Sequence, residues 1–299
     1  IVGEPGKGLN AMFIMMNAAR LHVALQGIGL LDAAWQKADA YAHERRQMRA
    51  PRAKGDKGSA AADLIIEHPA VQRILDTQRA WVDGARVLAY ETGLALDIAR
   101  HHPDAAQRDA AQRWCALITP ILKASCTDQG FHGASECLQV FGGHGYVSEW
   151  GIEQNVRDAR IAMIYEGTNE IQAIDLLMRK VLGDGGAALN AMLDTLSAAL
   201  DDTRGHEAQV RVLFDLLREL TQQCVQTSQR DDGALRLSWI AGDYLRLATL
   251  ALLAWAWTRI ERAPGADTPR WQAPAQALRA WVLPEFGMRA SILDAQLAS

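Results

Sequence analysis

Hydrophobic residues recur at intervals of three and four positions along almost the whole chain of 299 residues. This spacing places them on one face of an α-helix. No stretch alternates between apolar and polar residues over six or more positions, as a half-buried strand would. The pattern therefore predicts an all-α protein in which strands are nearly absent.

Loops that contain glycine, proline or charged residues divide this pattern into predicted helices. The first part of the chain should contain helices at about 9–48, 68–101, 103–140, 152–164 and 169–182. The remainder should contain helices at about 187–201, 207–229, 234–261 and 271–282. Within the first helix, Gly27 and Gly29 are expected to allow close packing against a neighbouring helix.

The helical pattern restarts after the sequence GDGG at 183–186, whose glycines are typical of helix ends. We therefore predict a helical domain at 9–183 and a second helical unit at 187–299, joined by a short hinge. Residues 1–8 look like the end of a strand followed by a Gly/Pro turn, so further chain is expected upstream.

The composition is that of an ordinary soluble globular chain, with 49% hydrophobic and 22% charged residues. The formal net charge of -4 gives no overall attraction to nucleic acid or to an anionic membrane. The apolar run at 247–260 is interrupted by threonines and is too short for a membrane span, so it is predicted to be a core helix. No targeting peptide is visible, and a cytoplasmic location is expected.

The four cysteines show neither a CxxC pair nor metal-ligand spacing with histidines, which argues against a metal site and against a disulfide framework. Three of them are eleven residues apart, about three helical turns, so we interpret them as small core residues on one helix face. The evenly spaced three are Cys115, Cys126 and Cys137, and the fourth is Cys224.

A basic segment, ERRQMRAPRAKGDK at 44–57, has three interpretations. It could be a solvated helix end, because cations favour helix C-termini. It could bind a phosphate or pyrophosphate, which arginine recognises bidentately. It could bind nucleic acid, although no aromatic residues are interleaved. Its basic residues are Arg45, Arg46, Arg49, Arg52, Lys54 and Lys57.

The sequence RIAMIYEGTNEIQ at 160–172 places Glu166 between an apolar stretch and a Gly-Thr-Asn turn signal. A carboxylate in an apolar pocket must be neutralised, paired or used in chemistry. Local sequence leaves two interpretations open: a residue that caps or solvates the start of the next helix, or a buried catalytic base.

A longer stretch, QVFGGHGYVSEWGIEQNVRDARIAMIYEGTNEIQ at 139–172, resembles the C-terminal signature of the acyl-CoA dehydrogenase family. The sequence at 3–47 is similar to the segment that leaves that family's β domain and to the first long helix of its C-terminal domain. The resemblance, in register over about 1–183, implies an up-down four-helix-bundle-like domain preceded by a β domain that ends near residue 8. The unit at 187–299 is then a C-terminal helical extension.

The resemblance implies an FAD-dependent enzyme that oxidises an acyl-CoA thioester to the trans-2-enoyl-CoA. Glu166 would remove the α-proton while the β-hydrogen leaves as hydride to FAD. A desolvated pocket, to which 161–165 could contribute, would suit a base for so weak an acid. Some family members carry the base immediately before the arginine that matches Arg20, but Ala19 stands there in this chain.

Further roles follow from matched positions in the family. The implied cofactor-binding residues are Arg45, Gln47, Gln139, Gly142, Gly143, Thr168 and Asn169. The implied substrate-binding residues are Asn17, Arg20, Tyr165 and Gly167, and the backbone N–H groups at Glu166 and Gly167 would polarise the thioester carbonyl.

The inserted loop up to about residue 63 and the C-terminal extension look like the subgroup that includes 3-methylmercaptopropionyl-CoA dehydrogenase. The resemblance also implies an electron-transfer flavoprotein or similar acceptor, a role in fatty acid metabolism and a homodimer or larger assembly. An acyl-CoA oxidase and a non-catalytic helical interaction module remain the alternatives. The isolated chain is expected to bind FAD poorly and to turn over no substrate.

Overall fold

The computed structural model describes residues 3–51 and 61–298, and within α1 it leaves some side chains undescribed. The described chain is helical, as predicted, and its one β-bridge joins Arg46 to Leu64. The helices are α1 (Gly8–Glu44), α2 (Pro69–His101), α3 (Ala105–Val140), α4 (Ile152–Ala162), α5 (Asn169–Ile174), α6 (Ala187–Ser197), α7 (Gly205–Thr227), α8 (Gly233–Arg262), α9 (Pro269–Ala277) and α10 (Pro284–Ala298). Residues Asp175–Val181 and Leu278–Val282 continue α5 and α9 with π-helical hydrogen bonding.

Helices α1, α2 and α3 form the centre of an up-down bundle. Trp35 near the end of α1 donates a hydrogen bond to the Leu75 carbonyl near the start of α2, and Asp32, one turn earlier on α1, pairs with Arg79, one turn later on α2, so these two helices run antiparallel. Helix α1 also packs along much of α3, while α5 and α8 pack against each other and against α3. This arrangement confirms the four-helix-bundle-like fold.

Two glycines allow α1 and α3 to approach at backbone contact. A Cβ atom at Gly27 would lie 2.3 Å from the Cys126 carbonyl oxygen, and one at Gly130 would lie 2.9 Å from the Gly27 carbonyl oxygen. The packing role predicted for Gly27 is confirmed. The same role predicted for Gly29 is wrong, because its Cβ would meet no atom within 4 Å.

The largest hydrophobic cluster crosses the predicted boundary at 183–187. It joins residues of α1, α2 and α3 to residues of α6, α7, α8 and α10. Helix α8 carries the apolar run predicted to be a core helix, and its residues 247–258 are all buried. By length and composition the helix Gly233–Arg262 could also cross a membrane, but it is mostly buried inside the fold. The domain boundaries themselves stay a prediction.

All four cysteines are buried, as predicted. Burial raises the pKa of the Cys126 thiol to about 12 and that of Cys115 to about 11. Both thiols therefore stay protonated at neutral pH and act as small apolar groups.

The structure differs from the sequence prediction at the end of α1 and in having a further helix, α10. Helix α1 ends at Glu44 rather than near residue 48, because Arg45 adopts an extended conformation and the following residues bond to the returning chain. The Gln47 N–H donates to the Asp63 carbonyl at 3.0 Å, and the Ile65 N–H donates to the Arg45 carbonyl at 2.8 Å.

Helix α10 was not predicted from the sequence. It docks on α8 through Arg246, which donates two hydrogen bonds to Glu285.

Candidate active site

Glu166 lies in the tight turn between α4 and α5. Glu166 and Gly167 both have left-handed backbone conformations, with φ of 57° and 84°. Such a conformation is strained for a glutamate and persists only where the surroundings hold it. The turn is closed by the Asn169 N–H, which donates to the Met163 carbonyl at 3.2 Å, and by Gln172, whose amide donates to the Glu166 carbonyl at 3.2 Å.

The Glu166 side chain ends in a buried, unpaired oxygen. Its Oε2 atom is inaccessible to solvent and has no hydrogen-bond partner. A buried polar atom without a partner costs free energy and requires an explanation, such as a proton or a ligand that it is placed to meet. The structure therefore weakens the interpretation of Glu166 as a solvated helix-start residue. Thr168 performs that capping, since its Oγ1 accepts from the Ile171 N–H.

Two backbone donors accompany this carboxylate. Within the described part of the chain, the N–H groups of Glu166 and Gly167 donate to no backbone acceptor. Successive N–H groups at left-handed residues form a small concavity that suits a negatively polarised oxygen. This geometry could hold a carbonyl oxygen beside the carboxylate.

The apolar residues before Glu166 form an open surface rather than the enclosed pocket suggested by the sequence. Ile161 and Ile164 are 53% and 46% exposed. Tyr165 is also partly exposed, and its hydroxyl donates to the Gln26 side chain on α1. In the described chain, residues 161–165 therefore do not enclose Glu166 in an apolar pocket.

Lys123 on α3 contacts the same turn from inside the bundle. Its side chain is fully buried. The Nζ atom donates to the Gly167 carbonyl at 2.7 Å and to the Asn169 Oδ1 at 3.1 Å. The pKa of Lys123 is lowered to about 8, chiefly by burial and also by the nearby Arg20 guanidinium, while the carboxylates of Glu170 and Glu166 partly oppose this shift.

Of the two predicted substrate-binding residues on α1, the structure describes the side chain of Arg20. Arg20 is only 7% exposed, and its Nη1 lies 3.5 Å from the Asp175 Oδ2 in an interior ion pair. Its Nε atom is buried without a partner. The Asn17 side chain lies outside the described part of the structure. Contacts of either residue with acyl-CoA stay a prediction.

The first group of predicted cofactor-binding residues comes together at the other end of α1. Arg45, Gln47, Gln139 and Gly142 line one cavity of about 350 Å³. Among the described residues, the side chains of Arg45, Gln47 and Gln139 form no ion pair and no hydrogen bond. They present unused donors and acceptors to a common space. Gly143 is exposed beside them but is not among the lining residues.

Aromatic side chains pack at the edge of this cavity. Tyr41 stacks on Phe141 with ring centroids 4.2 Å apart, and its hydroxyl hydrogen-bonds to the His144 Nδ1 at 2.8 Å. His144 in turn stacks on Trp150 with ring centroids 4.9 Å apart. The sequence GGHGY at 142–146 is a short 3₁₀ turn, and this cluster holds it against α1.

The Asn169 side chain forms hydrogen bonds within the protein. Its Oδ1 accepts hydrogen bonds from Lys123 and from the Thr127 hydroxyl, and its Nδ2 donates to the Ala124 carbonyl. The side chain amide is therefore occupied by α3. Contacts of Thr168 and Asn169 with a cofactor stay a prediction.

The basic segment at 44–57 lies partly outside the described structure, which omits Arg52, Lys54 and Lys57. Of the described members, Arg46 donates to the Ala62 carbonyl at 3.2 Å and Arg49 lies 3.8 Å from Asp63. Only Arg45 of the described three faces the cavity. Among the residues described, no group of three or more His, Cys, Asp or Glu could hold a metal ion.

Comparison with known proteins identifies the family of this chain. The sequence model described as "Acyl-CoA dehydrogenase, C-terminal domain" matches residues 6–181, more than half of the chain. The chain belongs to the acyl-CoA dehydrogenase family. The matched region contains both the Glu166 turn and the cavity of Arg45.

Relatives within the acyl-CoA dehydrogenase family include a 3-methylmercaptopropionyl-CoA dehydrogenase of Ruegeria pomeroyi, which is 41% identical over 213 residues. That alignment covers 71% of this chain and 35% of the relative, so the chain spans about a third of the length of that protein. Among solved structures, acyl-CoA oxidase 1 of Arabidopsis thaliana has a TM-score of 0.72 at 17% identity and covers 99% of this chain and 48% of its own. A Bacillus anthracis acyl-CoA dehydrogenase complexed with FAD has a TM-score of 0.68 at 20% identity, covering 99% and 50%. These two likenesses establish the shared helical fold.

Sequence reasoning did not identify Lys123 or the Tyr41–His144 pair. A signal for Lys123 was present, because it is the one charged residue in the run LITPILKASCT at 117–127. A lysine on the buried face of a core helix requires a partner. The Tyr41–His144 pair spans 103 residues of sequence and left no local signal.

Proposed function

We propose that this chain supplies the catalytic base and part of the cofactor site of an FAD-dependent acyl-CoA dehydrogenase, which converts an acyl-CoA thioester to the trans-2-enoyl-CoA. The observation that carries the proposal is the Glu166 carboxylate, held in a left-handed conformation with Oε2 buried and unpaired. Strain and an unsatisfied polar atom at one residue are typical of functional sites.

In this proposal Glu166 accepts the α-proton of the thioester. The free N–H groups of Glu166 and Gly167 hydrogen-bond to the thioester carbonyl oxygen, which gains negative charge as the proton leaves. The same turn thus carries the base and the groups that acidify its target. The C–H electron pair at the α-carbon forms the new double bond, and the β-hydrogen departs with its electrons.

The residues that line the cavity beside Arg45 fit FAD. FAD, when bound, supplies the acceptor for the hydride that leaves the β-carbon. The family resemblance assigns Arg45 and Gln47 to its pyrophosphate and Gln139 and Gly142 to its adenosine end, and the cavity that these residues share supports a common ligand. A guanidinium without a protein partner at a cavity wall suits a phosphate, which arginine binds bidentately.

Replacing Arg45 with alanine is expected to weaken FAD binding by about tenfold or more, because a charge-assisted hydrogen bond is lost. The melting temperature of the apoprotein should not change, because the Arg45 side chain is exposed and forms no hydrogen bond or ion pair, and its backbone bonds are kept in alanine. Titration of the complete apoprotein with FAD, followed by flavin fluorescence, measures the affinity. Arg157→Ala is a matched control, since Arg157 is exposed on α4 and pairs with Glu153. Equal FAD affinity in both variants would contradict the assignment of Arg45.

An acyl-CoA oxidase is the second candidate function, favoured by the likeness to the Arabidopsis enzyme in fold. The two activities share the base and differ in whether dye or oxygen reoxidises the flavin. Measuring dye reduction and peroxide formation by the complete protein over a panel of acyl-CoA chain lengths separates them. Fast dye reduction with little peroxide is expected, whereas absence of both over the whole panel would contradict the proposed function.

The remaining expectations belong to the same proposal. An electron-transfer flavoprotein or similar acceptor would reoxidise the flavin, and a homodimer or larger assembly in the cytoplasm would complete the FAD site. The open apolar surface at residues 161–165 supports the expectation that the isolated chain retains little FAD and is inactive. An enzyme with this mechanism acts in fatty acid metabolism or on related acyl-CoA thioesters.

A further inference from the structure

Lys123 is unusual among the polar residues of the bundle. It lies in the middle of α3, its side chain is fully buried, and its Nζ atom has two partners in the Glu166 turn. Lysine is almost never fully buried without a specific partner, because its ammonium group loses strong hydration. A methionine would fill this interior position without that cost. The ammonium group is therefore retained for what it contacts.

What it contacts is the backbone immediately after the candidate base. The Gly167 carbonyl belongs to the second of two left-handed residues, and Asn169 is the first residue of α5. Of the other bonds at the turn, those of the backbone and of Gln172 come from within residues 163–172, and the Asn169 side chain also bonds to the Thr127 hydroxyl and the Ala124 carbonyl on α3. Lys123 is thus the charged group that ties the turn to a different helix, and α3 is the helix most closely packed against α1.

The charge of Lys123 also faces the base. The carboxylates of Glu166 and of Glu170 on α5 both favour its protonated form, whereas Arg20 on α1, itself paired with Asp175, disfavours it. With a pKa lowered to about 8, chiefly by burial, the lysine is largely protonated at neutral pH.

We infer that Lys123 is the positioning residue of the candidate base: it holds the Glu166–Gly167 turn in its left-handed conformation and keeps a positive charge beside the carboxylate. The inference rests on the proposed function where it concerns catalysis. The part that concerns the conformation of the turn stands on the contacts alone.

The test uses Lys123→Met in the complete protein. Without the ammonium group, the turn should open more often, so amide hydrogen exchange in peptides covering 161–175 should rise at least tenfold. Exchange within α1 and the rest of α3 should stay close to that of the wild type. The kcat should fall by about 10- to 100-fold with little change in KM for the acyl-CoA, because the loss affects the position of the base.

The pH dependence separates the charge from simple packing. Lys123 loses its positive charge as the pH rises through its pKa of about 8, so the wild-type kcat should fall above that pH, whereas Lys123→Met should show no such fall. Lys123→Arg, which keeps the charge, should retain its activity above pH 8. A merely structural lysine would lower activity equally at all pH values.

Lys37 offers a matched control. Its Nζ atom donates to the Gly151 carbonyl at 2.9 Å and to the Asn155 Oδ1 at 2.8 Å, so it makes the same pair of contacts at another turn. Lys37→Met should raise exchange near residue 151 and leave exchange at 161–175 and kcat unchanged.

Wild-type exchange at 161–175 together with wild-type kcat in Lys123→Met would overturn the inference. Loss of protection throughout α3, both in this variant and in the more polar Lys123→Gln, would also overturn it, because the lysine would then hold the bundle rather than the turn. Failure of the proposed function looks different. In that case Glu166→Gln would keep full turnover, while Lys123→Met would still loosen the turn.

Discussion

Replacing Glu166 with glutamine in the complete protein is expected to lower the turnover of acyl-CoA by about 10³-fold while FAD stays bound. General-base catalysis contributes roughly 10²- to 10⁴-fold, and an amide of the same shape cannot accept the α-proton. Glutamine preserves the size of the side chain and the backbone of the turn. The N–H groups at 166 and 167 therefore remain available, and KM for the acyl-CoA should change little.

Steady-state dye reduction measures the loss, and the flavin absorbance of the purified variant confirms that the cofactor is retained. Glu170→Gln is the matched control, because Glu170 is an exposed carboxylate four residues further on. It should keep turnover within about twofold of the wild type. Equal activity in Glu166→Gln and Glu170→Gln would exclude Glu166 as the base.

Replacing Gly27 with alanine is expected to lower the free energy of unfolding by about 3 kcal/mol or more. The added Cβ would lie 2.3 Å from the Cys126 carbonyl oxygen and 2.7 Å from its carbonyl carbon. These are backbone atoms, which cannot move aside as a flexible side chain can, so α1 and α3 must separate. The separation would also displace Lys123, which lies one turn before Cys126 on α3.

Chemical denaturation of the complete protein, monitored by helical circular dichroism, measures this effect. Gly29→Ala is the matched control on the same helix, where the added Cβ would meet no atom. Because alanine has the higher helix propensity, this control should be neutral or more stable by about 0.5–1 kcal/mol. Equal effects of the two substitutions would contradict the close approach of α1 to α3 at Gly27.

Much of the helical architecture could be predicted from the sequence because the residues that determine it are local. Hydrophobic spacing placed α2 within one residue of its observed bounds, and the glycines at 183–186 ended the helical run as expected. Prediction failed where distant contacts decide the structure. Helix α1 ends early because the chain returning at Asp63 pairs with Gln47, and α10 is fixed by ion pairs to α8.

In the candidate site, too, local features could be predicted and distant contacts could not. The family motif at 139–172 allowed Glu166 to be predicted as the base. The same resemblance led to the residues that share the cavity beside Arg45. It could not reveal that Asn169 is bound by α3, because its partners lie more than 40 residues away. Nor could it reveal that Arg20 faces Asp175, 155 residues further along the chain. Spacing along one helix identifies a shared face, but it does not identify the opposing group.

Solvent exchange of the α-proton reports whether Glu166 removes that proton. An acyl-CoA analogue with sulfur in place of the β-carbon cannot lose a β-hydride, yet its α-protons are acidic enough to exchange. Incubated in deuterated buffer with the complete FAD-loaded protein, this analogue is expected to gain deuterium at the α-carbon with the wild type and with Glu170→Gln. Glu166→Gln should bind the analogue without exchanging it. Exchange at the wild-type rate by Glu166→Gln would contradict the account.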